Sequence, residues 1–104
     1  IENSKQHIPL KPIAFSLAQN YPNPFNLTTE INYSLPGNTE VVLTIYNALG
    51  QKVKTLVNEK QNAGYYQVQW HGQNEAGYIV ASGIYLMRLK TNNHSAVRKM
   101  IILK

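Results

Sequence analysis

The sequence predicts an all-β sandwich of about seven short strands. Three observations point there: runs of alternating apolar and polar residues, turn signals recurring at roughly ten-residue intervals, and no segment with a helical period. Composition agrees. Of 104 residues, 43% are hydrophobic and 14% charged, with seven tyrosines and one tryptophan. That is enough apolar material for one modest core, and aromatic residues of this kind favour strands.

Residues 1–13, IENSKQHIPLKPI, mix polar residues with two prolines and read as a linker from an upstream domain. The chain begins with Ile1, as expected of a piece of something longer. The sandwich is expected over residues 14–104. Phe15–Ala18 makes a short first strand. Asn20-Tyr21-Pro22-Asn23-Pro24-Phe25 follows as a structural turn. Its prolines cannot donate to a ladder and its asparagines hydrogen-bond locally. Tyr21 and Phe25 should pin that turn to the core.

From Thr28 to Leu35, Ile31, Tyr33 and Leu35 share one face and Glu30, Asn32 and Ser34 the other. Val41–Tyr46 is apolar on both faces, which predicts a covered, central strand. Lys52–Val57 comes next, and 58–64 reads as a polar loop. Tyr65–Trp70 alternates most cleanly. A long glycine-bearing turn from His71 to Gly77 leads towards Gly83–Lys90, with Tyr85, Met87 and Leu89 inward. Trp70, Tyr66 and Tyr85 are the expected core aromatics. Trp70 takes the central place a tryptophan holds in an immunoglobulin-like β-sandwich, here without cysteines.

The last strand, Val97–Lys104, differs from the others. Val97, Lys99, Ile101 and Leu103 share one face, and Arg98, Met100, Ile102 and Lys104 the other. Both faces carry apolar residues and both carry a cation. A core strand with outward-reaching cations explains one face and leaves Met100 and Ile102 as a candidate apolar outer face. Such an edge suits partner recognition and also offers a dimer through the last strand.

Little in the chain points to catalysis. The carboxylates Glu2, Glu30, Glu40, Glu59 and Glu75 lie at turns and strand ends, as rim charges do. His7, His71 and His94 lack ligand spacing, and no cofactor or metal is predicted. Asn74 and Glu75 read as turn residues first. The formal net charge is +5. The cations are scattered along the chain, which argues against nucleic acid as a partner. No apolar run is long enough to span a membrane as a helix, so no membrane insertion is expected. An alternative reading is an accessory binding module of a secreted enzyme, holding carbohydrate or a neighbouring domain, with Tyr65 and Tyr78 as a stacking platform.

Taken together, Phe15-Ser16-Leu17, Gln19 to Asn26, Ile31-x-Tyr33-x-Leu35-Pro36, Ile45-Tyr46-Asn47-x-Leu49-Gly50, Ala63-Gly64-x-Tyr66, Trp70-x-Gly72, Ala81-Ser82-Gly83-Ile84-Tyr85 and Lys99-Met100-Ile101-Ile102-Leu103-Lys104 resemble the type A C-terminal sorting domain of type IX secretion. A more distant resemblance is to the immunoglobulin-like domain of flagellar hook-capping proteins. The resemblance implies a non-catalytic sorting signal that directs its parent across the outer membrane of a Gram-negative bacterium, after transit through the periplasm. It implies as partners the outer-membrane secretion machinery, a sortase-like peptidase and an upstream cargo domain, with the cargo secreted or held at the cell surface. It assigns recognition to Val97, Arg98, Lys99, Met100, Ile101, Ile102, Leu103 and Lys104. Two residues depart from the family pattern: Leu27 stands for a proline, and His71 for an aspartate.

Overall fold

The structure is a computed structural model that describes residue 12 and residues 14–104. The expected linker over residues 1–13 falls, apart from Pro12, outside the described residues. Seven strands form: β1 (Ser16–Leu17), β2 (Thr29–Leu35), β3 (Thr39–Asn47), β4 (Lys52–Gln61), β5 (Gly64–Trp70), β6 (Gly83–Thr91) and β7 (Ser95–Ile102). They make two antiparallel sheets, one ordered β1-β2-β5 and the other β4-β3-β6-β7. The inner faces bury Ile31, Leu35, Val41, Leu43, Ile45, Trp70, Met87, Leu89, Met100 and Ile102 almost completely. This is an all-β immunoglobulin-like sandwich whose core lies between the sheets.

Register explains why the alternation was readable. Ile31 lies opposite Val68 and Tyr33 opposite Tyr66. Val41, Leu43 and Ile45 lie opposite Thr91, Leu89 and Met87. Directly paired residues share a face, so each inward residue meets an inward partner. β3 is central, with β4 and β6 on either side. Trp70 donates its indole N–H to the carbonyl of Gln73 at 2.9 Å. Its ring meets Phe25 and Tyr85 edge-on, at 5.7 and 5.6 Å between centroids.

Four expectations need correcting. The polar stretch 58–61 is strand: Asn58, Glu59, Lys60 and Gln61 pair with Val42, Val41, Glu40 and Thr39. β4 is an edge strand; its Asn58, Glu59 and Lys60 are exposed and Gln61 accepts from the Tyr33 hydroxyl, so the stretch carries no apolar signature. The final strand runs Ser95–Ile102, two residues earlier than expected, because the Asn92–His94 turn is closed tightly by Thr91 N–H to the His94 carbonyl at 2.9 Å. Met100 and Ile102 point into the core at 0% and 1% exposure, and Val97 and Leu103 are the exposed apolar residues at 54% and 64%. Tyr66 is only partly buried: it stacks on Tyr33 at 5.3 Å and its hydroxyl donates to the Asn62 carbonyl.

Candidate functional site

The proline turn and the last strand, far apart in sequence, form one seam. The chain leaves β1 along β2: Ala18 N–H donates to the Asn32 carbonyl, and Tyr21 and Glu30 exchange backbone bonds at 2.9 and 3.0 Å. After Pro22 and Pro24 it crosses to the other sheet. There Phe25 N–H donates to the Ile101 carbonyl at 3.0 Å, and Leu103 N–H to the Phe25 carbonyl at 2.9 Å, a parallel bridge. Ile101 N–H donates to Asn23 Oδ1, and Gln19 Nε2 to the Lys99 carbonyl. Arg98 Nε reaches the Leu17 carbonyl at 2.9 Å. The free edge of β7 is thus occupied from Lys99 to Leu103 by this crossing segment. Strand pairing with a second copy there would have to displace it.

Buried polar groups set the shape of the crossing. Asn20 is 2% exposed, and its Nδ2 donates to Thr29 Oγ1 at 2.9 Å and to the Pro22 carbonyl at 3.2 Å. Thr29 Oγ1 donates to the same carbonyl at 2.8 Å. A side-chain amide and a hydroxyl therefore satisfy groups that the prolines cannot. The two aromatic residues of the turn differ. Phe25 is buried at 3% exposure beside Trp70, whereas Tyr21 stands out at 76% and pins nothing. Asn20 takes the inward place, so the Tyr21 ring points away from the core while its backbone pairs with Glu30.

Beyond Ile102 the chain runs over the surface between two hollows. One, of about 450 Å³, is lined by Pro22, Pro24, Phe25, Asn26 and Leu103. The other, of about 480 Å³, is an apolar groove lined by Asn26, Leu27, His71, Gly72, Ile79, Ile102 and Lys104. Leu27 and Ile79 present 74% and 67% of their surface. Lys104 is tied down: its N–H donates to Ser82 Oγ at 3.2 Å and its Nζ to the Val80 carbonyl. The far wall holds its form because Val80 N–H donates to the Gly72 carbonyl and Gln73 bridges Ile79. Gly72 takes φ +67°, a value that suits glycine. Both unusual residues, Leu27 and His71, line this groove, and His71 Nδ1 lies 3.1 Å from Thr28 Oγ1.

The predicted recognition residues divide by face. Val97, Lys99, Leu103 and Lys104 are exposed, as is Arg98 at the rim. Ile101 is half-buried, and Met100 and Ile102 are core. Leu27, Ile79 and Ser82 were missed as site residues. The available signal was an isolated apolar residue or pair inside a polar turn: Leu27 after Asn26, and Ile79-Val80 after Tyr78. The tyrosine platform does not form. Tyr65 opens β5 opposite Ser34, while Tyr78 lies in the loop beyond Trp70, roughly 17 Å of strand away. Among the described residues the carboxylates do not gather either. Asn74 Oδ1 caps Ala76 and Tyr78 N–H, Glu75 accepts from Thr55 N–H, and Glu59 accepts from Gln61. Among the described residues, no three His, Cys, Asp or Glu side chains cluster as metal ligands would.

A family model, the FlgD Ig-like domain, matches residues 24–95. Among solved structures, the chain is similar to the dimeric latent PorU of Porphyromonas gingivalis, with TM-score 0.67 and 21% identity over 82% of this chain and 9% of that one. It is also similar to PorZ, described as an essential bacterial surface component of the type-IX secretion system of the same organism, with TM-score 0.53 and 16% identity over 86% and 11%. At these identities the likeness shows the fold. The chain spans about a tenth of the length of either protein. No curated protein matches it.

Proposed function

The chain belongs to the FlgD Ig-like domain family, and from that premise we propose that it is a non-catalytic sorting domain, residues 14–104, that directs a parent protein across the outer membrane through type IX secretion. In this reading the secretion machinery binds the exposed end of the last strand, a sortase-like peptidase then removes the domain, and the cargo becomes secreted or surface-held. The observation that carries it is Leu103-Lys104, fixed at the surface just past the buried Ile102, between two hollows and framed by Leu27 and Ile79. A rigid apolar ridge flanked by grooves is a form a receptor can read without the domain unfolding. That PorZ, described as a surface component of type-IX secretion, carries a domain of the same fold supports the same reading.

The test must spare the core. Deleting residues 97–104 would remove Met100 and Ile102, and each costs about 2–5 kcal/mol. Leu103→Glu and Leu27→Glu change only exposed side chains. In the parent protein these two changes together should leave the thermal midpoint near wild type while the cargo accumulates in the periplasm. Surface delivery equal to wild type, with the fold intact, would sink the proposal.

A further inference from the structure

Cations scattered along the sequence are gathered by register onto the outer face of the four-stranded sheet. Val41, Leu43 and Ile45 of β3, Tyr85, Met87 and Leu89 of β6 and Met100 and Ile102 of β7 are buried, so the residues between them point outward. One row across the face reads Lys52, Tyr46, Leu86, Lys99; the next adds Thr44, Arg88 and Val97; a third places Val42, Lys90 and Ser95 together. Ile84 lies opposite Ile101 beyond the first row. Lys60 stands at a far corner opposite Glu40, the carboxylate of this face. Among the described residues the ion pair present is Lys54–Glu75, and no described carboxylate pairs with Lys52, Arg88, Lys90 or Lys99. The outer face of the other sheet presents Ser16, Glu30, Asn32, Tyr65, Gln67 and Gln69, with no cation among the described residues.

We propose that this face of the four-stranded sheet docks on an anionic, phosphate-bearing lipid surface. Three properties select that partner. The face is broad and spread over four strands, which suits a plane better than a polymer seated in a groove. Arg88 and Lys90 stand two residues apart on β6, about 7 Å, with Lys99 on the adjoining strand and Lys52 about 14 Å across the sheet from Lys99, so several reach headgroup phosphates at once. Exposed Val97, at 54%, stands beside Arg88, and exposed Ile84, at 46%, borders the cations at one end; both can enter the headgroup boundary. This inference rests on charge and register, and is independent of the sorting role.

Co-sedimentation of the 104-residue chain with phosphatidylcholine vesicles, with and without phosphatidylglycerol, tests it. Binding should require phosphatidylglycerol and fall as salt rises from about 50 to about 200 mM. R88Q and K90Q should each weaken it roughly fivefold, and together roughly 25-fold. K54Q removes the same charge from a side chain paired with Glu75 off this face and should change it less than about twofold. If the double variant lowers the melting temperature, K90Q alone, fully at the surface, carries the comparison. Equal binding to both vesicles, an equal loss with K54Q, or retention on RNA or heparin with none on vesicles would overturn the assignment.

Discussion

The proline turn and the last strand use opposite chemistry to make the same seam. The turn brings side chains and carbonyls that accept and donate locally, through Asn20, Asn23 and Thr29. The strand brings an unpaired backbone edge and two core residues, Met100 and Ile102. Neither is complete alone: an edge strand needs covering, and a proline segment needs a ladder to lean on. Stability and exposure are therefore split within each region. Phe25 anchors while Tyr21 projects, and Ile102 anchors while Leu103 projects.

Substitutions can break that comparison or sharpen it. Phe25→Ala should cost the most, about 3–5 kcal/mol in chemical denaturation, because it opens a cavity against Trp70. A control away from the seam is Tyr33, whose burial pushes its hydroxyl up to about 12 despite a 2.6 Å bond to Gln61. The folded state therefore holds this proton more tightly than the unfolded chain. Stability should be full below pH 10 and fall between pH 10 and 12, by on the order of 2 kcal/mol. Tyr33→Phe should abolish that part of the alkaline loss in a pH series of melts.

Asn20→Ala should cost about 1–3 kcal/mol, since it leaves the Thr29 hydroxyl and the Pro22 carbonyl short of a buried partner. Asn23→Ala removes one acceptor from a more exposed bond and should cost about 1 kcal/mol, with faster amide exchange at Ile101 as its local signature. Tyr21→Ala should fall within about 0.5 kcal/mol. If Tyr21→Ala matched Phe25→Ala in a denaturant series, the division between anchoring and projecting residues would be wrong.

The sheets were legible because their inward positions alternate strictly: Ile31, Tyr33, Leu35 and Tyr85, Met87, Leu89 could be read from spacing alone. The second half of β4 was not, because an edge strand needs no apolar residue to pair its backbone. The faces of β7 could not be assigned from its own residues. Apolar side chains occupy both, and only its partners, Tyr85 opposite Met100 and Gly83 opposite Ile102, decide which turns inward. The groove was hidden for another reason. Leu27, His71 and Ile79 sit in three separate stretches of chain with no shared period, and only the crossing from one sheet to the other brings them together. The basic face was hidden likewise, since its cations come from β4 and from the β6–β7 hairpin, which only the register across β3 brings onto one face.

The seam also has a consequence for the order of events in folding. Its bonds between Gln19 and Lys99, and between Leu17 and Arg98, join positions 80 and 81 residues apart. Hairpins such as β6–β7 form between near neighbours, whereas these contacts must wait until a long loop has closed. The crossing segment should therefore be the last part to lock, with Ile101 among the last amides to gain protection in a pulsed-exchange refolding experiment. Until then Phe25 and Trp70 have no partner on that side, and the newly folding domain stays open along one flank.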